Sequence, residues 1–420
     1  MEKFLIKGPC KLNGRVDVHG AKNSVLPILA STILIDGISV IHNCPRLSDV
    51  DVAIKILKHL GAKVTRENRA VIVDASNINK NTIPEGLMRE MRSSIIFLAS
   101  LVTRMKSATL SAPGGCEIGL RPIDLHLSSL RQLGMEIDCR AGELRCNCEN
   151  KIHGAKIVLS FPSVGATENI LIAASVAKGK TTIINAAREP EISDLASFLN
   201  KCGAKIYGAG EGTIEIEGVK ALKPCEHSVI PDRILASTYM ASCAVTGGDI
   251  LINKIRPAHI TPVFPVFEAM GCKLFLESCE SLRIKAPKRL RSVKSIKTMP
   301  YPGFPTDSQS PVMAALCCAK GTSSIVENIF ESRFKNVPEL VRLGAKIYVN
   351  DKVAVIDGVK ELCGANVVAG DLRGGASLVV AALNSRGVTT VTNLEHIDRG
   401  YENLEVALSG LGADIKRIYK

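Results

Sequence analysis

Apolar and polar positions along the chain fall into one recurring phrase. It reads Leu60-Gly-Ala-Lys-Val64, Leu133-Gly-Met-Glu-Ile137, Cys202-Gly-Ala-Lys-Ile206, Met270-Gly-Cys-Lys-Leu274, Leu343-Gly-Ala-Lys-Ile347 and Leu411-Gly-Ala-Asp-Ile415. The six glycines are separated by 73, 69, 68, 73 and 68 residues. Before each lies an apolar stretch at helical spacing, as in Asp51–Leu60 with Ile54, Leu57 and Leu60 on one face. The glycine then predicts a left-handed helix cap, where a Cβ would be strained. A β-prone segment is expected to start at Val64, Ile137, Ile206, Leu274, Ile347 and Ile415.

The other half of each copy also recurs. Helices rich in small residues are predicted over Leu26–Ile33, Ser93–Val102, Ala166–Val176, Ile234–Val245, Ser310–Ala319 and Ala376–Asn384. A short strand follows in most copies: Thr109–Ser111, Thr181–Asn185, Ile250–Asn253, Ser323–Glu327 and Thr389–Thr392. The unit reads as β-α-β-β-α-β, about 70 residues long, and the chain of 420 residues holds six. A unit of that size cannot bury both faces of its helices alone, so neighbours must share cores. An α/β protein of two domains with three units each is the expected architecture.

Composition narrows the function. Lys and Arg total 53 against 41 Asp and Glu, a formal charge of +12, while aromatics are 4% and Trp is absent. The charge suits anionic ligands, but the scarcity of aromatics disfavours binding of single strands by base stacking. No aromatic-basic motif or zinc finger supports a nucleic-acid role. The fourteen Cys contain no C-x-x-C pair, which argues against a zinc ribbon or a thioredoxin-like motif. The start of the chain is too short and too interrupted by charge for a signal peptide, and apolar runs such as Ile95–Val102 are far too short to span a membrane. A cytosolic location with reduced thiols is expected.

Candidate chemistry sits where the copies depart from one another. The loop from Ala112 to Asp124 carries Cys116 and Arg121 between Gly and Pro residues, and a nearby cation favours a thiolate. By local sequence this is either a functional thiol or a free surface cysteine. In Tyr301-Pro-Gly-Phe-Pro-Thr-Asp307, Asp307 is either a functional carboxylate or, with Thr306, the N-cap of the next helix. Lys22 in Gly20-Ala-Lys-Asn-Ser24 precedes a helix, a place suited to an anion or simply to a solvated lysine. Arg92, Arg121, Arg373 and Arg399 recur at equivalent turns. They read as a convergent anion site or as independent surface charges.

Taken in order, these segments carry a resemblance. Gly20–Asn23, Pro113–Cys116 through Arg121-Pro122, Ser163–Thr167, Pro231–Arg233, Tyr301–Asp307, Asp371–Arg373 and Asp398–Glu402 together resemble the enolpyruvyl transferases of the UDP-N-acetylglucosamine 1-carboxyvinyltransferase family, over essentially the whole chain. The resemblance implies two inside-out α/β barrels of three repeats with the active site in the cleft between them. It implies one domain over 22–229 and another over 1–21 plus 230–420, the N-terminal strand returning to the C-terminal barrel. Segment 112–122 would be a lid over the substrates.

The implied reaction moves the enolpyruvyl group of phosphoenolpyruvate to the 3′-hydroxyl of the sugar, releasing phosphate, as the first step of peptidoglycan synthesis. By resemblance Cys116 is the general acid, forms a covalent phosphoenolpyruvate adduct and is alkylated by fosfomycin. Asp307 is the base near the hydroxyl, and Lys22, Arg121 and Arg399 surround phosphoenolpyruvate. Asn23, Arg92, Arg121, Pro122, Ile123, Asp124, Leu125, Ser163, Val164, Gly165 and Ile329 contact the nucleotide sugar or its surroundings. Asp371 and Arg373 lie near the base. No cofactor, metal, nucleic acid, membrane insertion or protein partner is implied. Leu235, Ser237 and Phe161 depart from the family pattern, and the chain is compatible with a second paralogue. A 3-phosphoshikimate 1-carboxyvinyltransferase, which lacks the cysteine loop, and a non-catalytic nucleotide-sugar-binding regulator are the competing readings.

Overall fold

A computed structural model describes residues 2–111, 123–140, 142–149 and 152–419, with the Arg92 side chain undescribed. Cys116, Arg121, Pro122 and the expected lid 112–122 therefore lie outside the described residues. The chain forms two compact units, one of residues 20–111 and 123–230 and the other of residues 2–19 and 231–419.

The recurring phrase folds the same way six times. Gly61, Gly134, Gly203, Gly271, Gly344 and Gly412 all have φ between 93° and 111°, the left-handed region that ends a helix. Each is followed by a strand: Lys63–Glu67, Glu136–Arg140, Lys205–Tyr207, Lys273–Ser278, Lys346–Asn350 and Asp414–Ile418. The apolar residue after the glycine meets a buried apolar partner across an antiparallel pair. The pairs are Val64 with Val73, Ile137 with Cys146, Ile206 with Ile216, Leu274 with Ile284, Ile347 with Ile356, and Ile415 with Ile6. In the last pair the partner comes from the opposite end of the chain. Strand Lys3–Gly8 sits between Ser385–Thr392 and Asp414–Ile418 and supplies the hairpin strand that the sixth copy lacks.

The order within a copy is β-α-β-α-β-β, with the hairpin after the outer helix, where β-α-β-β-α-β was expected. The reason lies in the strand after the inner helix. Its partner is the second hairpin strand, as Ile38–His42 pairs with Ala70–Asp74, and the outer helix Ser48–Leu60 spans the gap. Each sheet is completed by a short parallel edge strand. In the first unit that edge is Glu226–Ser228, which closes onto Ile38–His42. Strands bury alternate residues, as in Ala70–Asp74, so one sheet face packs inward and the other meets solvent.

Six helices sit under the sheets: Lys22–Ser31, Phe97–Met105 and Val164–Ala174 in one unit, and Arg233–Thr246, Thr306–Leu316 and Leu372–Ala382 in the other. They are buried almost all round, as helices with small and apolar residues on every face must be. Several of their hydroxyls donate back to the preceding turn of the same helix. Ser31 donates to the Pro27 carbonyl (2.7 Å), Thr238 to Ile234 (2.9 Å) and Ser377 to Gly374 (2.6 Å). The outer helices are amphipathic, and Ser48–Leu60 buries Val50, Ala53, Ile56, Leu57 and Leu60.

Candidate active site

In each unit several candidate residues lie at the N-terminal ends of inner helices, among them Lys22, Ser163, Asp307 and Asp371, where unpaired amides and the helix dipole favour negative charge. Asp371 caps Leu372–Ala382 by accepting from the amides of Arg373 (3.0 Å) and Gly374 (2.9 Å). Asp232 caps Arg233–Thr246 in the same manner, accepting from Ile234 (2.8 Å) and Leu235 (3.0 Å). Ser163 caps Val164–Ala174, accepting from Ala166 (3.3 Å). The helix carrying Asp307 differs. It runs Thr306–Leu316 from an N-cap at Pro305, and no side chain caps it. The capping role open to Thr306 and Asp307 in sequence is thus not taken, because the helix begins one turn position earlier and turns both side chains elsewhere.

Asp307 faces two arginines. Oδ1 accepts from Arg333 Nη2 at 3.0 Å and Oδ2 from Arg373 Nη2 at 3.2 Å. Both guanidiniums are buried, at 2% and 3% exposure, whereas the carboxylate keeps 26%. Arg333 also donates to the Thr306 carbonyl (3.1 Å), so it fixes both backbone and side chain of that first turn. Arg373 stacks 5.2 Å from the Tyr401 ring centroid. Burial alone would lower its pKa, but Tyr401, Asp307 and Asp232 outweigh burial and hold the guanidinium above its ordinary range. Nε and Nη1 of Arg373 and Nε of Arg333 have no hydrogen-bond partner among the described residues. These open donors lie beside a carboxylate that keeps about a quarter of its surface exposed to solvent.

The neighbouring turns are fixed to the same region. Buried Glu327 accepts from Thr298 (2.9 Å) and Thr306 (3.0 Å), and from the amides of Ile329 (2.9 Å) and Phe330 (3.1 Å). Ile329 is therefore held to the strand end that also grips the Asp307 turn. Ser237 shares a hydrogen bond with Ser308 (2.7 Å) and links two inner helices beside Asp307. Leu235 is buried, and Phe161 is 42% exposed. Arg399 is half-buried and ends the short helix Glu395–Asp398. Arg417 forks onto the preceding Asp398 at 2.6 and 3.0 Å and reaches Glu405 at 3.1 Å.

In the other unit, Lys22 opens its helix and pairs with Asp49 at 2.6 Å, with side chains 9% and 2% exposed. Asn23 follows, half-buried. Asp194 holds this turn in place. It accepts from Ser24 and from the Ile230 amide (3.2 Å), and it pairs with His227 (2.9 Å). Ile123 precedes helix Asp124–Gln132; Asp124 is exposed and Leu125 half-buried. This helix meets Ser163–Gly165 through His126. A Cβ on Gly165 would fall 2.6 Å from the imidazole, so only glycine fits there. Burial pushes His126 down to about 4 against the opposing pull of Asp124. The ring is thus neutral at pH 7, and Nδ1 accepts from Asn169 Nδ2 at 2.8 Å. Glu168 on the next helix is held well above the usual carboxylate range by burial, then by Glu191 and Glu189. Arg92 starts the 3-10 turn Arg92–Ile96 before the second inner helix.

Sequence reading missed Arg333, Asp49, Asp194, Glu327 and Arg417. Each acts on a partner far away in sequence and stands in no recurring phrase. Their visible sign is a charged residue beside an otherwise apolar element, which many solvated residues share. The Lys22–Asp49 pair has a direct consequence. Asp49→Ala removes a buried carboxylate that pairs with a buried ammonium, a change expected to destabilise the protein by about 3–5 kcal/mol in urea titration. Among the described residues, no group of three or more His, Cys, Asp or Glu side chains is placed to hold a metal ion. No described helix is long and apolar enough to cross a membrane.

Comparison with known proteins agrees with this architecture. The EPSP synthase (3-phosphoshikimate 1-carboxyvinyltransferase) family matches residues 6–408. UDP-N-acetylglucosamine 1-carboxyvinyltransferase 2 of Caldanaerobacter subterraneus subsp. tengcongensis is 52% identical over 418 residues, covering 100% of both chains. UDP-N-acetylglucosamine 1-carboxyvinyltransferase 1 of Carboxydothermus hydrogenoformans is 47% identical, covering 100% of this chain and 99% of the relative. Among solved structures, the enolpyruvyl transferase NikO from Streptomyces tendae superposes with a TM-score of 0.90 at 27% identity, covering 99% of this chain and 98% of that one. EPSP synthase from Acinetobacter baumannii shares the fold, with a TM-score of 0.73 at 18% identity over the full length of both.

Fold and similarity together define an enolpyruvyl transferase. The chain belongs to the family of UDP-N-acetylglucosamine 1-carboxyvinyltransferases, within the wider EPSP synthase family.

Proposed function

We propose that the protein transfers the enolpyruvyl group of phosphoenolpyruvate to the 3′-hydroxyl of UDP-N-acetylglucosamine and so supplies peptidoglycan synthesis. In this reading C3 of phosphoenolpyruvate is protonated while the sugar hydroxyl adds at C2 and gives up its proton. The tetrahedral intermediate then loses the C3 proton and inorganic phosphate, which restores the vinyl group. The observation that carries the reading is Asp307, an accessible carboxylate held at a helix N-terminus by two buried arginines with open donors. A carboxylate so fixed is a hydrogen-bond acceptor of set direction, suited to orient a hydroxyl and take its proton.

Cys116 is the proposed acid, on the resemblance of its loop. Lys22, Arg121 and Arg399 are the proposed cations for phosphate and carboxylate, acting as preorganised charge. Asn23, Arg92, Ile123–Leu125, Ser163–Gly165 and Ile329 are the proposed nucleotide-sugar contacts, and Asp371 and Arg373 support the base. The two proposed domains are 22–229 and 1–21 with 230–420. Phosphate release from phosphoenolpyruvate tests the reading. Release should require UDP-N-acetylglucosamine; release with shikimate 3-phosphate instead would reassign the acceptor, and none with either would leave a binding protein.

Arg417 enters as a positioning residue. Its fork fixes Asp398, so it sets where the adjacent Arg399 points. Arg417→Lys loses the bidentate geometry and is expected to raise KM for phosphoenolpyruvate roughly tenfold, with a smaller change for the nucleotide sugar. Equal changes for both substrates would point to general loosening of the fold.

A further inference from the structure

Two thiols outside the proposed site stand in contact. Cys202 is the C-cap of helix Pro190–Lys201, and Cys225 lies just before the edge strand Glu226–Ser228. Their sulfurs are 3.2 Å apart. Both backbones are already fixed. The Cys202 carbonyl accepts from the Lys223 amide (2.8 Å), and the Cys225 carbonyl accepts from Val40 (3.1 Å). The sulfurs need to approach by only about 1.2 Å to reach disulfide length. Cys202 is buried and Cys225 is partly exposed, so reagent from solvent meets Cys225 first.

We infer that Cys202 and Cys225 form a redox modification site that a low-molecular-weight disulfide, such as glutathione disulfide, converts to an intramolecular disulfide. The Cys225 thiolate attacks one sulfur of the reagent and expels one glutathione thiolate, leaving a mixed disulfide at Cys225. Cys202 loses its proton to solvent and attacks the Cys225 sulfur, releasing the second glutathione. Two protein thiols are oxidised, and one small disulfide is reduced to two thiols. The roles follow from the surroundings. The hydrogen bond from Cys202 lowers the Cys225 pKa, outweighing burial, with help from Lys201, while the same contact and burial raise Cys202. An attacking thiolate on the accessible side and a resolving thiol behind it is the arrangement that thiol–disulfide exchange requires.

The bond would staple a strand already clamped at its next residues. His227 of that strand pairs with Asp194 of the same helix, and Ile230 also donates to Asp194. The link therefore runs beside an existing polar clamp and follows the native path of the chain.

The test treats the full-length reduced protein with glutathione disulfide and maps peptides without reduction. The expected result is a cross-linked peptide pair holding Cys202 and Cys225, with slower amide exchange across Glu226–Ser228. Cys202→Ser should stop at one glutathione attached to Cys225, and Cys225→Ser should give no cross-link at Cys202. The proposal is overturned if both thiols remain fully alkylatable by iodoacetamide after treatment. It is equally overturned if Cys225 links only to other cysteines, or if Cys202→Ser leaves Cys225 unmodified.

Discussion

Asp307→Asn is expected to lower the rate of phosphate release by about 10²–10⁴-fold, the range of a positioned acid or base. The substitution keeps the shape of the side chain but removes both the proton acceptor and a negative charge. It also sets an amide NH2 against one of the guanidiniums, donor against donor. Arg333 and Arg373 are buried, and each loses its carboxylate counterion. Part of the effect will therefore be structural, at about 3–5 kcal/mol for an uncompensated buried charge. The two contributions separate if the rate is measured where urea titration shows the variant fully folded. A folded variant with a near-normal rate would remove Asp307 from the chemistry.

Cys116→Ala is expected to abolish turnover while leaving the fold intact. The proposed role is proton donation to C3, for which alanine offers no substitute, and the loss should again reach about 10²–10⁴-fold or more. The described hairpins and inner helices are built from residues other than 112–122, so denaturation midpoints are expected to be unchanged. The same thiol should be the site of fosfomycin alkylation, seen as an adduct on the peptide that contains Cys116. Normal phosphate release by the alanine variant, or an active enzyme with no adduct at Cys116, would count against an acid in that loop.

Much of the fold was legible because it is written six times. A left-handed glycine after an apolar helix and a β-prone residue three positions on is a local instruction, and all six copies obey it. The apolar residue that starts each hairpin is legible for the same reason, since one strand face must be buried. The order of elements was less legible. A strand that pairs past an intervening helix looks, in sequence, like one that pairs with its neighbour. Likewise, nothing local announces that Ile6 pairs with Ile415; that expectation came from resemblance.

The candidate site was legible as segments and not as a geometry. Asp307 and Arg373 stand out in unusual phrases, but their 3.2 Å contact spans 66 residues. Arg333 occupies no repeated position, although it holds both the backbone and the carboxylate of the Asp307 turn. Asp49 reads as one of two acids in the first turn of an amphipathic helix, a place acids favour anyway. Its burial against Lys22 follows from packing between helices, which the local pattern does not encode. Capping was ambiguous for the opposite reason. Asp232 and Asp371 are caps and Asp307 lies inside the first turn, yet in sequence each stands at the start of a helical stretch.

The central claim is the identity of the acceptor. The direct measurement is proton NMR of the products after the protein has been incubated with phosphoenolpyruvate and UDP-N-acetylglucosamine. The account predicts two vinyl protons on an enolpyruvyl group joined to the 3′-oxygen of the sugar, formed in step with inorganic phosphate. Unchanged UDP-N-acetylglucosamine alongside consumed phosphoenolpyruvate, or vinyl transfer to shikimate 3-phosphate alone, would contradict it.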